Sequence, residues 1–310
     1  MTTSTLNQLL NVFWLRPETA LWREIDIRAM QSFSFESPSL DIGCGDGIFS
    51  FIRAGGKFSS EFDAFQAMSG LDKFFEKVDV FDAFNEKVSP AVTQVPEYQI
   101  DCAFDHKQNL LNKAAQLGLY GSLKQGDGNQ SLPYLDESFN SVFSNIIYWL
   151  NEPEAVLKEV TRILKPNGRV SLMLPNHSLP EFSFYNQLFV KTGNQQWAFL
   201  DKLDRGRFSD NIRQAKTRKV WEKIFNDAGL RVVEHKAHLS ETVVKTWDIG
   251  LRPLFPVLHR MIQAIPSSEL PEIKKEWIAT LRYFLEPLAD MDDSLSKNSE
   301  PAFHCYILEK

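Results

Sequence analysis

Short apolar runs alternate along the chain with stretches in which apolar side chains recur every three or four residues. This alternation predicts strands joined by helices in a parallel sheet covered on both faces. The first helical stretch is "RPETALWREIDIRAMQSF", where Leu21, Trp22, Ile25, Ile27 and Met30 follow Pro17 and Glu18 at the helix start. Residues 39–42 read as strand one, and "IFSFIRAGG" as the next helix, stopped by Gly55 and Gly56. Strand two, "YQIDCAF", leads into "HKQNLLNKAAQLG", with Leu110, Leu111, Ala114 and Leu117 on one side and Gly118 as its stop. "GSLKQGD" is a short third strand, and "SVFSN", after the turn-rich "PYLDESFN", a fourth. Pro153 heads the helix "EPEAVLKEVTRIL"; "KPNG" then ends it and reverses the chain into strand five, "RVSLMLP". "KVWEKIFNDAGL" is a helix stopped by Gly229, and "RVVEHKAHL" and "AFHCYILEK" are strands six and seven. The fold class is therefore α/β, a doubly wound sheet of seven strands.

Two segments break the alternation. Residues 51–96 and 251–301 each separate successive strands by far more than a usual crossover and read as mainly helical insertions. They interrupt a core of residues 38–250 plus 302–310, which follows an N-terminal helical segment, 1–37. The first insertion sets Phe58, Phe62, Phe65, Phe74, Phe75, Phe81 and Phe84 among acidic residues, the pattern of a small packed subdomain with a solvated acidic face. The second contains "LPEIKKEWIATLRYFLEPL" and is expected either to close over a pocket or to form a homodimer surface.

Composition narrows the partners. The 310 residues are 43% apolar and 24% charged, enough to bury a sizeable core. A net charge of −6 argues against a general binder of nucleic acid or anionic membrane, because such binders rely on basic surface. No apolar run approaches the roughly 20 residues of a membrane span, and the N-terminal text does not read as a signal peptide, so a cytoplasmic location is expected. Cys44, Cys102 and Cys305 are scattered, which suggests reduced thiols and no C-x-x-C site.

The candidate chemistry begins in "LDIGCGDGIF", where Asp41 precedes Gly43, Gly45 and Gly47 directly after strand one. Bare glycine backbone lets a ligand sit close, and free N–H groups at a helix start can bind a carboxylate. The dinucleotide fingerprint G-x-G-x-x-G fits poorly, since its third position falls on Ile48. The pattern Asp-x-Gly-x-Gly-x-Gly instead resembles the first motif of class I S-adenosylmethionine-dependent methyltransferases. "FDHKQNLLNKA" and "LKQGDGNQSLPYLDESFNSVFSN" resemble that family's next two stretches. The resemblance implies a Rossmann-like sheet whose last strand is antiparallel, with S-adenosylmethionine as cofactor. It also implies roles: Asp41 orients the methionine amine beside the loop of Gly43, Cys44, Gly45 and Gly47. Asp105, with Asp101 as the competing acid, takes the ribose hydroxyls, His106 covers the adenine edge, Asp127 meets the adenine amino group and the Gly128 N–H a ring nitrogen. Ser144, at the end of strand four, completes the cofactor set.

The acceptor side is less marked. Asn145 and Tyr148 keep the outer spacing of the Asn-Pro-Pro-Tyr motif of nitrogen methyltransferases but lack both prolines, and Trp149 follows as a possible pocket wall. His177, after strand five, is the candidate general base, since imidazole as a side-chain type is suited to proton removal near neutrality. His235 and His238 are spaced to face opposite sides of strand six, so no metal site is expected. Arg205, Arg207, Arg213, Lys216, Arg218 and Lys219 form a basic stretch, either a solvated helix face or a lid for an anionic acceptor. Methylation of a small molecule, or of a glycan or lipid-linked precursor, is the expected activity. The rivals are an inactive S-adenosylmethionine-binding protein and a nucleotide-dependent oxidoreductase.

Overall fold

In a computed structural model, residues 5–65, 87–197 and 212–310 are described. All four residues of β1 (Ser39–Ile42) are buried, as a strand with neighbours on both sides and helices on both faces requires. β1 pairs in parallel with β4 (Ile100–Asp105) and β6 (Phe139–Ser144), and β5 (Tyr120–Gln125) flanks β4. Beyond β6 lie β7 (Leu164–Pro175), β9 (Phe303–Glu309) and β8 (Arg231–His238), giving the order β5-β4-β1-β6-β7-β9-β8. The last strand, β9, is antiparallel to both its neighbours, the Rossmann-like arrangement that the resemblance implies. Chain connections leave β1 in one direction and β6 in the other, so the carboxyl ends of these strands flank a switch point, where open α/β sheets bind ligands.

Period-two alternation distributes β9 over two layers. Cys305 and Ile307 pack with Ala29, Met30 and Phe33 on one face, while Tyr306 meets Phe225 edge-on at 4.9 Å on the other. The first face is covered by α2 (Pro17–Ala29), which has proline in its first turn, the other by α8 (Arg218–Asp227), which Thr217 caps through the Val220 N–H. The remaining helices before them are α1 (Thr5–Val12), α3 (Ile48–Arg53), α4 (Gln108–Ala115), α5 (Pro153–Ile163), α6 (Leu179–Phe182) and α7 (Phe184–Thr192). α9 (Glu241–Lys245) runs into a π-helical turn, Thr246–Leu251, followed by α10 (Leu254–Ile262) and α11 (Leu270–Asn298).

Three details go beyond the sequence pattern. The 51–96 segment begins in the last residues of α3, and its described parts beyond that helix include β2 (Lys57–Phe58), antiparallel to β3 (Val92–Gln94). Phe58 stacks on Phe62 at 4.6 Å and Phe65 meets Phe255 of α10 at 5.2 Å, so these aromatics join the main core. Phe74, Phe75, Phe81 and Phe84 lie outside the described residues, as do Arg205 and Arg207. The Lys-Pro-Asn-Gly segment follows α5 as a turn within the bounds of β7: the ladder with β6 passes from Leu164 to Arg169, and Asn167 is left-handed at φ 62°. Finally, α11 continues past Pro287. The carbonyl this proline leaves without its helical partner belongs to Tyr283, an exposed residue.

Candidate functional site

The loop after β1 places Gly43, Gly45 and Gly47 at φ 77°, 59° and 75°, all left-handed. Their surroundings separate their roles. A Cβ on Gly43 would stand 2.0 Å from Ile146 Cγ1, and one on Gly47 would stand 3.0 Å from the Tyr120 ring, whereas one on Gly45 would meet nothing within 4 Å. Two glycines thus permit close packing, and the middle one presents bare backbone to open space.

Carboxylates surround this loop. Asp41 is 2% exposed, and its Oδ2 accepts from Ser50 Oγ and the Tyr120 hydroxyl, both at 2.7 Å. Burial pushes its carboxyl up to about 6 against the pull of those hydrogen bonds. Asp105 accepts the N–H groups of Gly45 and Lys107, both at 2.9 Å, and Asp46 that of Ile48 at 3.1 Å. Burial, reinforced by Asp41, Asp105 and Asp46, drives the Cys44 thiol far above its usual range. The same field favours a cationic ligand.

The competing acid, Asp101, accepts from Ser37 and Ser39 at the opposite, amino end of β1. His106 is exposed, with Nδ1 3.4 Å from Asp105 Oδ1. Asp127 is exposed beyond β5, and hydrogen bonds from the Asn129 N–H and side chain hold its carboxyl below the usual range. Gly128 lies against Leu150. Ser144 is wholly buried; its hydroxyl donates to the Ile42 carbonyl at 2.9 Å and stitches β6 to β1, so its side chain does not face the loop's open side.

On the other side of the switch point, Tyr148 and Trp149 occupy a 3-10 turn after β6. Tyr148 is buried, edge-on to Trp149 and to Phe303, each at 5.6 Å. Phe303 meets Trp22 at 5.4 Å, and Trp22 meets Trp247 at 5.1 Å. Asn145 is half-buried at the head of this turn. His177 is exposed just beyond β7, and its Nδ1 lies 2.8 Å from Asn176 Oδ1. His235 bonds His304 at 2.9 Å and His238 bonds Asp26 at 3.0 Å, on opposite faces of β8.

A family model described as a methyltransferase domain matches residues 22–235. The chain belongs to the methyltransferase-domain family. No curated protein sequence matches this methyltransferase significantly. Among solved structures, it is similar to a possible histamine N-methyltransferase from Thermotoga maritima, with 17% identity, 70% and 74% of the two chains covered and a TM-score of 0.43. It is also similar to a putative methyltransferase from Bacillus halodurans, with 15% identity, 92% and 98% coverage and a TM-score of 0.42. The [4+2]-cyclase SpnF matches at 14% identity, 95% and 82% coverage and a TM-score of 0.46.

The cofactor of this methyltransferase is S-adenosylmethionine. The loop fits it: the cofactor carries an amine and a sulfonium, and the loop offers open backbone at Gly45 ringed by buried carboxylates. Sequence reasoning missed Ser50 and Tyr120, which hold Asp41, because Tyr120 is 79 residues away and only the β4–β5 crossover brings it back. It also missed the Trp22–Phe303 wall, whose two members no local pattern pairs. Asp46, by contrast, stands inside the glycine motif and was open to view. Among the described residues, no group of three or more His, Cys, Asp or Glu side chains could hold a metal ion, and no helix is long and apolar enough to cross a membrane.

Proposed function

We propose that this methyltransferase methylates oxygen or nitrogen of a small molecule, or of a glycan or lipid-linked precursor, by in-line displacement in the cytoplasm. Bound S-adenosylmethionine supplies an electrophilic methyl group on a sulfonium. In this reading the glycine loop and Asp41 hold the methionine part, Asp105 the ribose hydroxyls, and Asp127, Gly128 and His106 the adenine. Ser144 contributes by fixing the end of β6. Asn145, Tyr148 and Trp149 bound the acceptor, and His177 accepts its proton where one must leave. The observation that carries the reading is the open space over Gly45 beside buried Asp41 and Asp105 at the switch point.

Positioning can supply much of such a rate, about 7–11 kcal/mol for well-oriented reactants, so the aromatic wall counts for as much as any base. The net charge of −6 disfavours a nucleic-acid acceptor. Self-association through residues 251–301 belongs to the same reading, since Tyr283, Phe284 and Met291 stand exposed along one side of α11. Calorimetric titration with S-adenosylhomocysteine, S-adenosylmethionine and NAD tests the cofactor assignment. Micromolar binding of the two sulfur ligands, none of NAD, and at least a tenfold loss in Asp105→Ala are expected. Failure of both sulfur ligands to bind would refute the reading.

A further inference from the structure

Apart from Ser144 at the end of β6, the cofactor candidates stand at the ends of β5, β4 and β1, and the acceptor candidates at those of β6 and β7, so the site runs across the sheet in strand order. With strands about 4.8 Å apart, β7 runs about 10 Å from β1 across the sheet, and from Leu172, level with Ile42, it continues three residues further to Pro175. There Asn176 is 1% exposed and His177 exposed.

The amide of Asn176 has only one satisfactory orientation. Its Nδ2 faces the Pro301 carbonyl at 2.8 Å, Glu300 Oε2 at 2.9 Å and Ser178 Oγ at 3.1 Å. Turned over, the carbonyl oxygen would confront a carboxylate and another carbonyl, none of which can donate. Oδ1 therefore faces His177 Nδ1 at 2.8 Å and can only accept. The proton in that hydrogen bond must come from Nδ1, which leaves Nε2 of the neutral ring with a bare lone pair.

We infer that Asn176 is the positioning residue of His177, fixing the imidazole as the Nδ1–H tautomer so that Nε2 is the proton acceptor at the acceptor end of the sheet. This rests on the acceptor-site reading above. The proton of an acceptor hydroxyl or ammonium passes to Nε2 while the other proton stays on Nδ1, donated to Asn176 Oδ1, so the ring becomes imidazolium without turning. The device is assembled by the segment that returns from α11: Asn176 N–H donates to the Ala302 carbonyl at 2.7 Å, and Ser178 Oγ donates to the Pro301 carbonyl. Residues 300–302 thus hold the amide, and the amide holds the base.

Long-range nitrogen–proton correlation spectra of the 15N-labelled full chain, at a pH above the ring's titration, read the tautomer without any acceptor. The His177 signals are assigned by their loss in His177→Gln. The Nδ1–H pattern is expected to predominate in the unaltered protein and to shift toward Nε2–H, the form free histidine favours in water, in Asn176→Ala. Should Asn176→Ala not fold, the spectrum of the unaltered protein alone still decides, because the ring's tautomer is read there directly. An Nε2–H ring in the unaltered protein overturns it, and so does a spectrum unmoved by Asn176→Ala. Calorimetry with S-adenosylhomocysteine on the same samples separates the two claims: a protein that does not bind it but keeps the Nδ1–H ring fails the functional reading alone.

Discussion

Gly43 and Gly45 share a backbone conformation and differ in what faces their missing side chains, so the same substitution should act in two ways. A non-glycine residue in the left-handed region costs about 1–2 kcal/mol. Gly45→Ala adds only that strain, because its Cβ enters open space, but the methyl occupies room that a bound cofactor needs. It should fold with a slightly lowered Tm and lose S-adenosylhomocysteine affinity at least tenfold. Gly43→Ala also drives a Cβ into Ile146, and overpacking of that kind costs about 1–3 kcal/mol more. Thermal denaturation and calorimetry on both variants should show the larger loss of stability at Gly43, with the affinity loss at Gly45 out of proportion to its stability loss.

At the scale of elements, the two segments that interrupt the strand–helix alternation are fastened to each other. Lys274 of α11 is 6% exposed and donates from Nζ to the carbonyls of Ser60 at 2.8 Å and Phe62 at 2.7 Å. Burial pulls its ammonium down to about 8, with Asp63 opposing. Lys274→Met keeps the apolar stem and strands the buried Phe62 carbonyl, at a cost of about 1–3 kcal/mol. The expected results are a lowered Tm and faster proteolytic cleavage near residues 59–65. Cleavage at the original rate would mean that the aromatic contacts Phe58–Phe62 and Phe65–Phe255 hold this segment without the lysine.

Across the whole molecule, the antiparallel pair β8–β9 introduces a dependence on acid. Burial holds His304 down at about 3 and His235 at about 4, against 6.5 for a free imidazole. Below pH 6.5 the unfolded chain takes up protons that the folded pair refuses, so this contribution to stability is present above pH 6.5 and falls as pH drops towards 4. For His304 alone the loss reaches up to ~2 kcal/mol by pH 5. Asp41, raised to about 6, acts in the opposite direction, since the fold retains a proton that the unfolded chain releases. Comparing His304→Phe with the unaltered protein cancels that common contribution. Denaturant unfolding at pH 7 and pH 5 should show a smaller acid-induced loss in the variant.

The alternation of apolar runs with helical spacing determined the seven strands, their connecting helices and the glycine loop, because each depends on neighbours within a few residues. The left-handed turns after β1 need glycine wherever they fold, and the buried strands need their apolar runs. "KPNG" was legible as a turn because its left-handed Asn167 is a local feature, and the β6 ladder skips it, passing from Leu164 to Arg169. The tertiary structure alone decided which distant groups meet. Asp41 finds Tyr120 through the β4–β5 crossover, and Asn176 finds Glu300, 124 residues later, because β9 inserts between β7 and β8 and brings the end of α11 with it. Such pairings depend on how the crossovers close, and no local pattern carries that information. For the same reason His177 could be picked out by its place after a strand, whereas the nitrogen left free on its ring is set by the amide beneath it.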